Sequence, residues 1–115
     1  MNQSWGSHGE RMAQAYLQGS GYRILNRNFR VDNAEIDIVA GFNNELVLIE
    51  VKARRENAFA DIDSVVSDSQ LSRLILAGSI MLDFRTEYKA FRLDLILISK
   101  NRTSISLQHF RGVTG

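Results

Sequence analysis

The chain has 115 residues, 44% of them hydrophobic, which suits one domain around one core, so residues 1–115 read as a single unit. It contains no cysteine, which excludes disulfides, thiolate metal sites and a cysteine nucleophile. With a net charge of +1, composition does not announce nucleic acid as a partner.

The N-terminus, Met1-Asn2-Gln3-Ser4-Trp5, lacks the basic start and apolar run of a secretion signal. No apolar stretch is long enough to cross a bilayer. The expectation is a cytoplasmic, soluble protein with no membrane partner. From Ser4 or Ser7 to about Gln18, Trp5, Met12, Ala13, Tyr16 and Leu17 recur at helical spacing, and Gly19-Ser20-Gly21 stops the helix. Residues 22–31 read as a strand, and residues 34–40 and 45–54 as two more. A loop is expected through Asn57 to Asp63. A second helix is predicted from about Ser67 to Phe84, with Leu71, Leu74, Ile75, Gly78 and Leu82 on one face. Phe91 to Ile98 then reads as a strand buried on both sides apart from Asp94, and Ser104 to Phe110 as a last short strand. This α-β-β-β-α-β-β order predicts an α/β fold with a mixed sheet flanked by helices. There are only two histidines, His8 and His109, far apart in sequence, so a bound metal is expected to be a hard cation on oxygen ligands.

The most informative stretch is the pair Glu35-Ile36-Asp37-Ile38 and Ile49-Glu50-Val51-Lys52. Asn43 and Asn44 lie between them, and asparagine tolerates the positive φ of a two-residue hairpin turn. Counting outward from such a turn sets Asp37 opposite Glu50 and Glu35 opposite Lys52, with all four side chains on one face. Opposed Cβ atoms lie about 5 Å apart in a ladder, so the two carboxylates should repel. A fold keeps such a pair when something positive sits between them, and a divalent cation is the usual candidate. The plainer alternative is a wet face carrying a Glu35–Lys52 ion pair. A four-residue loop would instead bring Glu50 opposite Glu35.

Asp37, twelve residues and then Glu50-Val51-Lys52 resemble the Asp…Glu-x-Lys signature of the PD-(D/E)XK nuclease superfamily. That superfamily has a restriction-endonuclease-like αβββαβ core. The whole chain more closely resembles the YraN-like family of predicted endonucleases, distant relatives of archaeal Holliday-junction resolvases. The likeness runs from Gly6 to about Val113. It includes Gly6-x-x-Gly9-Glu10, Gly21-Tyr22, Asn28-Phe29-Arg30, Glu35-Ile36-Asp37, Glu50-Val51-Lys52, Phe59, Arg92-Leu93-Asp94 and His109. Two departures stand out: Ala34 where the family usually has glycine, and Gln70 where it often has lysine.

The resemblance implies a Mg²⁺-dependent endonuclease acting on DNA, including branched or structured DNA, with Mn²⁺ as a substitute ion. Its metal ligands would be Asp37, Glu50 and the Val51 carbonyl, with Lys52 acting on the water or the phosphate. Glu10 is drawn toward the metal by the same likeness, although Ser7-x-x-Glu10 is also a capping-box spacing. Gln70 shares that ambiguity through Ser67-x-x-Gln70. Arg30, Arg54 and Arg55 are the expected phosphate contacts. Trp5 and Tyr16 read as core residues and His109 as a structural polar residue. Asp94 would be costly to bury unpaired, and Arg92 or a backbone turn is its expected partner. The resolvase likeness implies a homodimer. The rival reading is a nucleic-acid-binding module of the same fold with little or no catalytic activity.

Overall fold

The structure, a computed structural model, describes residues 4–55 and 66–113. The expected loop from Asn57 to Asp63, with Phe59, lies outside the described residues. Seven elements follow in order: α1 (Trp5–Gly19), β1 (Arg23–Val31), β2 (Ala34–Phe42), β3 (Glu45–Arg55), α2 (Asp68–Phe84), β4 (Ala90–Lys100) and β5 (Ile105–Phe110). They form one five-stranded sheet in the order β1-β2-β3-β4-β5. Only β3 and β4 run parallel; the other neighbours are antiparallel. The parallel pair needs a crossover, and α2 lies in that connection. The mixed α/β architecture is the one expected, with the αβββαβ order of a restriction-endonuclease-like core.

Each face of the sheet carries one helix. On the first, Ala13 and Leu17 of α1 pack with Ile38, Ala40, Val47, Ile49, Val51, Ile96 and Ile98. On the second, Leu74, Ala77 and Met81 of α2 pack with Ala34, Ile36, Val39, Leu46, Leu48 and Leu93. Each such aliphatic side chain contributes roughly 1.5–3 kcal/mol when fully buried. The buried stripe of α2 is Leu74, Ala77, Gly78 and Met81. Ile75, assigned to the inner face by spacing, is instead 40% exposed. Gly78 moves the stripe inward because a Cβ there would collide with the Phe91 ring, so helix and strand meet at a point that excludes a side chain. Gly9 does the same for α1: a Cβ on it would lie 2.7 Å from the Ala53 Cβ. Gly9 therefore sets how near Glu10, the next residue, comes to the sheet.

Ser4 caps α1 by accepting a bond from the Ser7 amide, so the helix starts before Ser7 and the Ser7–Glu10 capping box does not form. Ser67 caps α2 in the same way through the Gln70 amide, at 3.2 Å.

A split in the sheet and the acidic pair beside it

The hairpin joining β2 and β3 has the expected two-residue turn. Asn43 takes a φ of 54°, and Phe42 pairs with Glu45. The ladder runs regularly to Ile38 opposite Ile49 and stops there. The next pair would be Asp37 and Glu50. Instead, Oδ2 of Asp37 accepts the Val51 amide at 2.8 Å, taking the part a backbone carbonyl plays in an intact ladder. The two strands part at Asp37, and its side chain closes the gap.

One strand further out, Asn28 of β1 sits at φ 51°, in the left-handed region, between the pairs Arg27–Ile38 and Phe29–Ile36. The β1–β2 register itself shifts earlier, between Ile24 and Asn26. Ile36 packs on the α2 face and Ile38 on the α1 face, although two residues apart in a regular strand share a face, so β2 is irregular at Asp37. The common face predicted for Glu35, Asp37, Glu50 and Lys52 is therefore not what forms. Glu50 and Lys52 lie on the α2 face, Asp37 bridges the gap, and Glu35 turns to Arg30 at 3.4 Å rather than to Lys52.

Glu50 is 9% exposed and holds three partners. Gln70 Nε2 donates to its Oε2 at 2.9 Å, and Lys52 Nζ stands 3.5 Å from its Oε1. Asp37 is within hydrogen-bonding reach of its carboxyl group. Burial first, and then the Asp37 charge and the shared hydrogen bond, push Glu50 up to about 8, against the pull of Lys52. Raised to about 8, Glu50 keeps its proton beside Asp37 at neutral pH, which relieves the repulsion expected of an ionised pair. The Gln70 side chain reaches Glu50 instead of turning back to its own helix start, so the capping box does not close, and only its backbone amide serves the Ser67 cap. Glu10, half-buried, is also raised, by burial first and then by the charges of Asp37 and Glu35, with Arg27 opposing. It thus approaches the split from the α1 side. A cleft of about 210 Å³ adjoins Gln70 and is lined by Asn33, Ala34, Glu35, Arg73 and Leu74 as well. Arg73 went unnoticed in the sequence, although it lies one helical turn from Gln70, on the same side of α2.

The donor set suits a small hard cation. Mg²⁺ is commonly held by one or two carboxylates and keeps several waters, so the opposed oxygens of Asp37 and Glu50 need no third acid. Among the described residues no three His, Asp or Glu side chains gather as a complete cage.

The expected phosphate contacts fall in two places. Arg30 is on β1, exposed and paired with Glu35. Arg54 and Arg55 end β3, three residues from Lys52, beside Trp5, whose Nε1 donates to the Arg54 carbonyl at 3.0 Å.

Asp94 lies apart from this centre and is 1% exposed. Arg92 holds it by Nε at 2.9 Å, His109 by Nε2 at 2.7 Å, and the Gly112 amide at 3.1 Å. The other ring nitrogen of His109, Nδ1, lies 2.9 Å from the Tyr16 hydroxyl. Arg92 also binds Glu45 at 3.0 Å. Both expected partners of Asp94 are present, the arginine and a backbone amide, and the network fastens α1 to β4 and β5.

Strand order and acidic centre define a small α/β protein with a restriction-endonuclease-like core. The chain belongs to the family described as uncharacterised protein family UPF0102, whose model matches residues 9–98. A UPF0102 protein of Nitrobacter winogradskyi is 42% identical over 99 residues, covering 84% of this chain and 82% of that one. One from Phocaeicola vulgatus is 34% identical over 105 residues, covering 91% and 87%. A third, from Mycolicibacterium vanbaalenii, is 34% identical over 110 residues, covering 94% and 91%. The family is the YraN-like one that the motifs resembled. No helix among the described residues is long and apolar enough to cross a membrane.

Proposed function

We propose that this protein is a Mg²⁺-dependent endonuclease that hydrolyses phosphodiester bonds of DNA at the split between β2 and β3. The observation that carries the proposal is the pair formed by buried Glu50 and half-buried Asp37. A protein that only packs or only binds has no use for two facing carboxylates, one of them raised to about 8, in a sheet whose ladder is interrupted to hold them. Mn²⁺ is the substitute ion, and branched or structured DNA is the substrate class suggested by the resolvase likeness.

Asp37 and Glu50 would hold the ion, with the Val51 carbonyl available beside them. Bound there, it would polarise the phosphate and acidify a water. The chain's own groups supply the rest. The Val51 amide orients Asp37. Gln70 orients Glu50 from α2, and Lys52 stands beside it. Once Glu50 ionises, Lys52 is placed to meet the phosphate or the attacking water. Glu10 of α1, near enough to feel the Asp37 charge, would serve as a proton acceptor. Gln70 orients without adding positive charge, so electrostatic stabilisation rests on Lys52 and the cation.

The test is a cleavage panel of single-stranded, duplex, flap and four-way DNA with Mg²⁺ or Mn²⁺, run beside a divalent-ion titration. Metal-dependent cleavage that Glu50→Gln removes is expected. Divalent binding without cleavage of any substrate would favour the binding-module reading, and no divalent binding would sink both.

A further inference from the structure

The C-terminal ends of the two parallel strands carry a second repulsive pair, of opposite sign to the first. Arg55 of β3 and Lys100 of β4 are register partners. Like charges directly opposite one another destabilise a sheet. Among the described residues no carboxylate pairs with either. Both lie against Trp5 of α1: the Arg55 guanidinium carbon is 5.8 Å and the Lys100 Nζ 5.4 Å from the indole centroid. Trp5 is anchored by its Nε1 bond to the Arg54 carbonyl, and the His8 ring stacks on it at 5.7 Å. An aromatic face holds cations without neutralising them, so both keep their capacity for an anion.

We propose that Arg55 and Lys100, spread on Trp5, form a clamp for the phosphates of a nucleic-acid strand. The proposal rests on the nuclease reading for the identity of its ligand. At about 3.3 Å per residue, Arg55 lies roughly 10 Å along β3 from Lys52. The clamp therefore takes the backbone close to, but not at, the phosphate under attack. Two cations in one place, matched to successive backbone charges, favour a polyanion over a single free phosphate.

The chain has one tryptophan, so Trp5 emission reports on this place alone. Wild-type protein is titrated in EDTA with a labelled DNA duplex between 50 and 200 mM salt, following label anisotropy and Trp5 emission together. We expect emission to change in step with binding. In Arg55→Gln/Lys100→Gln the slope of log affinity against log salt should fall by about two units, near 0.9 per lost contact. Divalent binding at Asp37 and Glu50 should not change. If the double variant melts early, Lys100→Gln alone should lose about one unit. An unchanged slope, or unchanged emission at saturation, overturns the clamp even if the protein cuts DNA. A lost slope in a protein that cuts nothing sustains the clamp and rejects the nuclease reading. Equal emission changes with anionic phospholipid vesicles at matched phosphate overturn the assignment to nucleic acid.

Discussion

Two acids are buried in this sheet and they are treated in opposite ways. Asp94 is surrounded by donors: a guanidinium, an imidazole and a backbone amide. Burial alone would raise its pKa, but bonds from His109, Arg92 and Gly112 more than offset that and hold it below the ordinary aspartate value. Glu50 is buried beside another carboxylate, with one lysine at 3.5 Å and one amide, and its pKa rises. A satisfied buried charge marks a structural joint. One set beside a second acid, its pKa raised, is a candidate for a functional site.

The largest effect should come from breaking the satisfied acid. Asp94→Ala leaves Arg92 and His109 facing an empty site, and losing one partner of a buried ion pair costs about 3–5 kcal/mol. Chemical denaturation should show that loss; a loss under about 1 kcal/mol would mean that the network does not fasten α1 to the sheet.

At the other acid the large effect should appear in activity. Asp37→Asn, Glu50→Gln and Lys52→Ala should each lower metal-dependent cleavage by about 100-fold or more, with the circular dichroism spectrum unchanged. The two acid variants should also bind Mg²⁺ or Mn²⁺ more weakly. Lys52→Ala should bind the ion as well as wild type or better, because a nearby positive charge is gone. Calorimetric titration of all three checks this, and equal loss of affinity in Lys52→Ala would deny lysine its separate role.

Stability without metal should move the opposite way from Asp94→Ala. Above about pH 8, where both acids are ionised, Glu50→Gln removes a like-charge neighbour and should stabilise the apo protein by on the order of 1 kcal/mol. The sign with pH follows from the same shift. Glu50 is raised from 4.5 to about 8 in the folded state, so between those values the folded chain binds the extra proton. Apo stability should then be full below about pH 4.5 as far as Glu50 is concerned, and fall as pH rises toward 8. Asp94 has the reverse sign: its contribution is present above the ordinary aspartate pKa of 3.8 and is lost as pH falls through its lowered folded value. Melting curves across pH 3–9 should show the alkaline loss vanish in Glu50→Gln and, in wild type, shrink when Mg²⁺ is added. An alkaline slope identical in both proteins would assign it to other groups.

The smallest effect belongs to Arg30. Its pair with Glu35 is exposed, and exposed pairs contribute about 0–1 kcal/mol. Arg30→Ala should leave the melting temperature within about 2 °C. If Arg30 touches a phosphate, DNA affinity should lose about one unit of salt slope. No change there would leave Arg30 as an ordinary surface residue.

Much of this was legible in the chain because it is local. Apolar periodicity fixed the element order, since a strand repeats every two residues and a helix every 3.6. Asn43-Asn44 fixed the hairpin register, because a two-residue turn leaves one way to count outward. Those two facts placed Asp37 beside Glu50 without coordinates. Three features came only with the tertiary structure. An irregularity in β2 at Asp37 turned Ile36 and Ile38 to opposite faces and broke the expected common face. The start of α1 at Trp5, capped by Ser4, together with the close approach at Gly9, sent Glu10 to the split instead of to its own helix end. The crossover through α2 set β4 parallel to β3, which brought Lys100 opposite Arg55 and Gln70 onto Glu50. Sequence spacing governs what neighbours along the chain do, because backbone geometry repeats. Which charges meet across 45 residues is decided by how whole elements pack, and no period in the sequence encodes that.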